Sequence, residues 1–143
     1  MRYANNTGSI LLVEDSGTDI DLIKQAMQKA DPNVHLELAQ DGRQALAYLK
    51  RWEAGAAVPI VILLDLKLPD VDGLQVLRAL KTHSLYKRVP VVVLSSSRET
   101  RSLDQAYRMG ANSYVMKSLD YDEFVKTILL IRRYWCELNI RPE

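Results

Sequence analysis

The chain has 143 residues, 48% of them hydrophobic and 26% charged, with a net charge of +1. That is material for one sizeable core, and it leaves no global field to recruit nucleic acid or an anionic membrane. A single cysteine, Cys136, excludes an internal disulfide framework and fits a reducing cytoplasm. The opening "MRYANNTGS" has no apolar core of a signal peptide, and no apolar run nears the roughly 18 residues of a membrane span. One cytoplasmic domain over 9–138 is expected, between tails at 1–8 and 139–143.

In chain order, "SILLVE" (9–14) predicts a first buried strand. Ile20, Ile23, Met27 and Ala30 then recur at helical spacing, with Thr18 and Asp21 resembling a capping box. "VHLELA" (34–39) alternates more and predicts a second strand, followed by a stripe of Ala45, Leu46, Leu49 and Trp52 behind a candidate N-cap, Asp41. "PIVILLD" (59–65) predicts a third strand that drives straight into a carboxylate, and Asp72 is placed to cap the Leu74, Leu77, Leu80 helix. "PVVVLS" (90–95) predicts the fourth strand. The helix of Leu103, Ala106 and Tyr107 follows it and ends at Gly110 as a C′ glycine. A weaker "NSYVMK" (112–117) precedes a last helix bearing Phe124, Ile128, Ile131 and Trp135, which runs past the fifth unit. Strand and helix alternating five times predict an α/β fold, with a parallel sheet, helices on both faces and right-handed crossovers.

In such a sheet, ligands gather beyond the carboxyl ends of the strands. Those ends carry Glu14 and Asp15, then Asp65, then Ser95 and Ser96, and finally Lys117. Two carboxylates about 5 Å apart repel by roughly 3 kcal/mol at an effective dielectric near 20, so the cluster raises its pKa values or binds a cation. An open set of oxygen ligands suits Mg²⁺. A carboxylate held beside a metal and a lysine can attack phosphorus and form an aspartyl phosphate, and a neighbouring strand-end hydroxyl can sense the new group.

On these residues the chain resembles the receiver domains of bacterial two-component response regulators. Asp65, Pro69 and Gly73 keep the D-x(3)-P-x(3)-G spacing, and Ser95, Tyr114 and Lys117 follow Asp65 by 30, 49 and 52 residues. The resemblance implies a flavodoxin-like fold with five parallel strands in the order 2-1-3-4-5 and five flanking helices. It implies Asp65 as phosphoacceptor from a sensor histidine kinase, and Mg²⁺ held by Glu14, Asp15, Asp65 and the backbone carbonyl of Lys67. It also implies Lys117 as the phosphate's ion-pair partner, Ser95 as switch hydroxyl and Tyr114 as switch aromatic. The role is that of a phosphoacceptor in signal transduction rather than an enzyme. A narrower similarity, in "PVVVLSSS" and "IRRYWCELNIRPE", is to small stand-alone regulators that partner bacterial phytochromes. It implies a phytochrome-type kinase and a homodimer through the last helix, with output by protein contact and without nucleic acid or membrane.

Two positions depart from the family pattern. Ser118 stands where a proline usually follows the lysine, leaving the isomer of that peptide open. Lys67 brings a cation two residues after Asp65, and its ammonium is expected to lean over the acids and alter phosphoryl lifetime. Blander readings stand beside each residue: Asp65 as a turn initiator, Lys117 as a solvated strand-end lysine, Ser95 as a loop hydroxyl and Tyr114 as core. Tyr134 and Trp135 either cover the core or anchor a dimer, and Cys136 serves packing or the interface. His35 and His83, without partners at ligand spacing, are expected at the surface. Other functions compete for the same residues. A flavodoxin-like flavin carrier would need phosphate-cradling donors where Glu14 and Asp15 stand. An aspartate-nucleophile phosphatase would need an acid at position 67. A receiver-like interaction module that is never phosphorylated would not need the intact acid pair.

Overall fold

The three strongest apolar runs lie side by side in the middle of the sheet. The computed structural model describes residues 8–142. Residues 1–7 of the expected N-terminal tail, and residue 143 of the expected C-terminal one, lie outside the described residues. Strands β1 (Ile10–Val13), β2 (Leu36–Ala39), β3 (Val61–Asp65), β4 (Val91–Ser95) and β5 (Ser113–Met116) form one parallel sheet in the order β2-β1-β3-β4-β5. Every residue of β1, β3 and β4 is buried, whereas β2 and β5 are mostly half-buried edges. That explains the pattern in the sequence: a strand covered by helices on both faces reads as continuous Val, Ile and Leu, and an edge strand does not. The flavodoxin-like receiver topology expected from the resemblance is the topology observed.

Helices α1 (Gly17–Ala30), α2 (Gly42–Glu53), α3 (Gly73–Lys81), α4 (Thr100–Arg108) and α5 (Tyr121–Arg133) divide between the two faces. On one face Leu11, Val13, Ile62, Leu64, Val91 and Val93 meet Ala45, Leu49 and Trp52 of α2, Val76, Leu77 and Leu80 of α3, and Ala106 of α4. On the other, Ile10, Leu12, Val61, Leu63, Val92 and Leu94 meet Ile20, Ile23 and Met27 of α1 with Phe124, Ile128 and Ile131 of α5. Burial of each such Leu or Ile side chain contributes about 1.5–3 kcal/mol. These two cores hold the strand ends, and the site, in place.

Local departures from the sequence reading have physical causes. Helix α1 starts earlier than the Thr18/Asp21 box predicts. Ser16 is the N-cap, its Oγ accepting from the Asp19 N–H at 3.3 Å, so the chain enters the helix one residue after the acid pair. Asp41 and Asp72 cap α2 and α3 as expected, Asp72 in a capping box with Gln75. Gly110 follows α4 with φ +103°, where a side chain would be strained. The Lys117–Ser118 peptide is trans, as are all peptides among the described residues. His35 is exposed, but His83 has partners. Its ring stacks on Tyr86 at 4.2 Å, its Nδ1 accepts from the Leu85 and Tyr86 N–H groups at 3.1 and 3.2 Å, and its Nε2 lies 3.4 Å from Glu53. After α5 a π-helical turn, Tyr134–Leu138, carries the chain on. Trp135 packs on the second core and Cys136 is buried in it, while Tyr134 faces solvent.

Candidate functional site

The register of the central strands decides which side chains meet. Val13 pairs with Leu64, and Asp65 with Leu94, so the chain beyond β1 comes level with the end of β3. Glu14, just past β1, is 1% exposed, and Asp65 is also buried, whereas Asp15 stands at the solvent lip. Glu14, Asp15 and Asp65 each bring a carboxylate oxygen to within 4.8 Å of one another. Lys117 follows β5, and its backbone N–H donates to the Ser95 carbonyl at 2.9 Å, which fixes where its side chain starts.

The ammonium of Lys117 donates to Glu14 Oε1 at 2.5 Å, to Asp19 Oδ2 at 2.9 Å and to Asp65 Oδ2 at 3.1 Å. All three of its donors are thereby used. The second oxygens of Glu14 and Asp65 are also engaged. Glu14 Oε2 accepts from the Asp15 and Ser16 N–H groups at 3.1 and 3.2 Å, and Asp65 Oδ1 accepts from the Lys67 N–H at 3.0 Å. Burial pushes the Glu14 carboxyl up to about 7, the Lys117 bond opposes the rise, and Asp65 adds to it. For Lys117, burial acts to lower the pKa, but the bonds to Glu14 and Asp19 and the charges of Glu14 and Asp65 outweigh it and raise it. Four carboxylates around one ammonium leave an excess of negative charge in a partly buried place. An all-oxygen donor set of this kind fits a hard divalent cation.

The loop from β3 to α3 is built to hold Asp65 still. Gly73 opens α3 directly against the end of β3: a Cβ there would lie 2.5 Å from Leu66 Cα and 2.6 Å from the Asp65 carbonyl oxygen. The Gly73 N–H donates to the Leu66 carbonyl at 3.1 Å, closing the loop on itself. Asp70 reaches across to α2, accepting from the Gly42 N–H at 3.1 Å. Beside this loop, Ser95 is buried and its Oγ accepts from the Ser97 N–H at 3.1 Å. Tyr114 packs inward against the first core, and its hydroxyl donates to the Ser97 carbonyl at 2.9 Å. Ser97 thus joins the two residues that the sequence offered as switch elements, through opposite ends of its own backbone.

The structure therefore gathers Glu14, Asp15, Asp65 and Lys117 at one point and links Ser95 with Tyr114 beside it. It does not bring in the Lys67 side chain, which is exposed and makes no ion pair among the described residues. A long side chain at a loop surface stays in water, and the cation over the acids is Lys117. Two residues were missed. Ser97 had no signal beyond proximity to Ser95. Asp19 read as an ordinary first-turn acid complementing a helix dipole, although its place three residues past the cap turns it back toward the strand ends.

Comparison with known proteins points to one family. Residues 10–129 match the family model described as the response regulator receiver domain. The chain is 38% identical to the probable methanogenesis regulatory protein FilR2 of Methanothrix harundinacea, over 93% of this chain and 86% of that one. It is 35% identical to the response regulator Rcp1 of Synechocystis sp., over 93% and 92%. Among solved structures, that of the Mn²⁺-bound form of Rcp1 matches with a TM-score of 0.87 at 34% identity, covering 95% and 99%. That of the phosphorylated cyanobacterial phytochrome response regulator RcpA matches with a TM-score of 0.89 at 35% identity, again covering 95% and 99%.

Proposed function

The chain belongs to the response regulator receiver domain family, whose members are phosphoacceptors, and on that premise we propose that Asp65 accepts the phosphoryl group, with Lys117 as its ion-pair partner. The observation that carries the assignment is Asp65 itself. It is a buried carboxylate at the end of the central strand, 3.1 Å from an ammonium and clustered with two further acids. In the reaction an Asp65 oxygen forms the P–O bond as the P–N bond of a phosphohistidine breaks, and the electron pair stays on the imidazole nitrogen. Lys117 meets the charge spread over the equatorial phosphoryl oxygens, which is electrostatic positioning rather than covalent work.

Glu14, Asp15 and Asp65, with the backbone carbonyl of Lys67, are the residues to hold Mg²⁺. Bound there, the ion neutralises the developing phosphoryl charge. Ser95 is the hydroxyl that turns to the phosphoryl group and Tyr114 the aromatic that follows, with Ser97 passing the change into the loop before α4. The donor in this reading is a sensor histidine kinase of phytochrome type, supported by the similarity to RcpA. Output is by protein contact in the cytoplasm. Among the described residues no helix is long and apolar enough to cross a membrane. The test is transfer from a radiolabelled, autophosphorylated phytochrome-type histidine kinase. Label is expected to pass to the wild-type chain and not to Asp65→Asn. Label retained on Asp65→Asn would contradict the assignment.

A further inference from the structure

The ammonium of Lys117 has three donors and three carboxylate partners, and only two of those partners belong to the acidic cluster that suits a cation. The third, Asp19, stands apart from it in the first turn of α1. Its side chain is 28% exposed, and its Oδ2 lies 2.9 Å from Lys117 Nζ. Its backbone is held in the first turn, where the Asp19 N–H donates to Ser16 Oγ at 3.3 Å. Glu14 and Asp65 must share their oxygens with whatever enters the site, a cation or a phosphoryl group. Asp19 need not. Resting on the proposed phosphoacceptor role of Asp65, we propose that Asp19 is a positioning residue: its carboxylate anchors the Lys117 ammonium over the site while Asp65 reacts.

Lysine is a flexible four-carbon stem with a compact charge, and leaving it to find the phosphoryl group at the moment of reaction carries an entropy cost. With Asp19 as fixed anchor, the ammonium keeps one partner throughout. The donor now on Asp65 Oδ2 is then free to turn to a phosphoryl oxygen.

Two measurements on the 143-residue chain test this. The first is the rate of phosphorylation by acetyl phosphate with Mg²⁺, followed by intact mass, in wild type, Asp19→Asn, Asp19→Glu, Lys117→Met and the double variant Asp19→Asn/Lys117→Met. Loss of one charge-assisted bond to the ammonium predicts a rate about tenfold lower for Asp19→Asn, with Asp19→Glu restoring most of it. In the Lys117→Met background, Asp19→Asn is expected to have no further effect, since it acts through the lysine. The second is the mobility of the Lys117 side chain in metal-free protein, read as an NMR order parameter at its end and expected to fall in Asp19→Asn, which removes one of the three partners that hold the ammonium. An Asp19→Asn rate equal to wild type, or an equal slowing with and without Lys117, would overturn the proposal. If the wild type is not phosphorylated at all, the phosphoacceptor reading fails instead. The mobility measurement then decides alone, with an unchanged Lys117 order parameter overturning the anchor.

Discussion

Gly73 and Cys136 show how single residues hold this site and the core behind it. A Cβ on Gly73 meets backbone atoms of Leu66 and Asp65, none of which can swing aside. Gly73→Ala is expected to cost about 1–3 kcal/mol, as overpacking does, read as a lower urea midpoint. A change under about 0.5 kcal/mol, the range of neutral surface substitutions, would show that the loop gives way. Cys136 is 6% exposed, and burial pushes its thiol from 9.0 up to about 11, with Arg132 and Arg141 opposing. The folded state therefore keeps the thiol proton where the unfolded chain has lost it, and stability falls as pH rises from about 9 to 11. At about 1.4 kcal/mol per pK unit, the wild type should lose up to roughly 2–3 kcal/mol relative to Cys136→Ala across that window. Parallel pH profiles would contradict this. The residues of the acidic cluster were legible in the sequence because carboxylates at strand ends are costly unless they bind something. The Asp19 contact was not, since an acid in a helix's first turn already has a sufficient local reason to be there.

At the scale of elements, caps and loops explain more than propensity does. Helix α3 has nine residues and depends on the Asp72–Gln75 box, in which Asp72 Oδ1 accepts from the Leu74 N–H at 3.0 Å and Gln75 Oε1 from the Asp72 N–H at 3.2 Å. Asp72→Ala is expected to lower stability by about 1 kcal/mol with an unchanged denaturant slope. A steeper or shallower slope would mean that the variant changed the unfolding transition itself. The strands were readable because three of them are buried on both faces, and β2 and β5 were weaker because they are edges. What periodicity could not give was the start of α1: Ser16, Gly17 and Thr18 all tolerate a helix N-terminus, and the choice rests on which hydroxyl reaches the Asp19 amide. Nor could it give the partners of His83, which lie as far along the chain as Glu53 at the end of α2.

At the scale of the whole molecule, the site lies at the carboxyl edge of the sheet and an apolar stripe runs along its last helix. Leu130, Tyr134 and Leu138 are 68%, 50% and 59% exposed and follow one another at four-residue spacing, so they share one face. That stripe is the surface through which the homodimer expected from the last-helix resemblance would form, while Trp135, turned onto the core, is part of the fold rather than of the stripe. That homodimer predicts a dimeric wild type in sedimentation and a monomeric Tyr134→Glu/Leu138→Glu at the same concentration, with thermal unfolding in the monomer range unchanged. An equal oligomeric state for both would move the interface elsewhere. The central claim, that Asp65 is the phosphoacceptor, is tested most directly by the intact mass of the chain after incubation with acetyl phosphate and Mg²⁺. The prediction is one added phosphoryl group on the wild type, lost with Asp65→Asn and absent when the metal is chelated. An unmodified wild type, or the same adduct on Asp65→Asn, would contradict it.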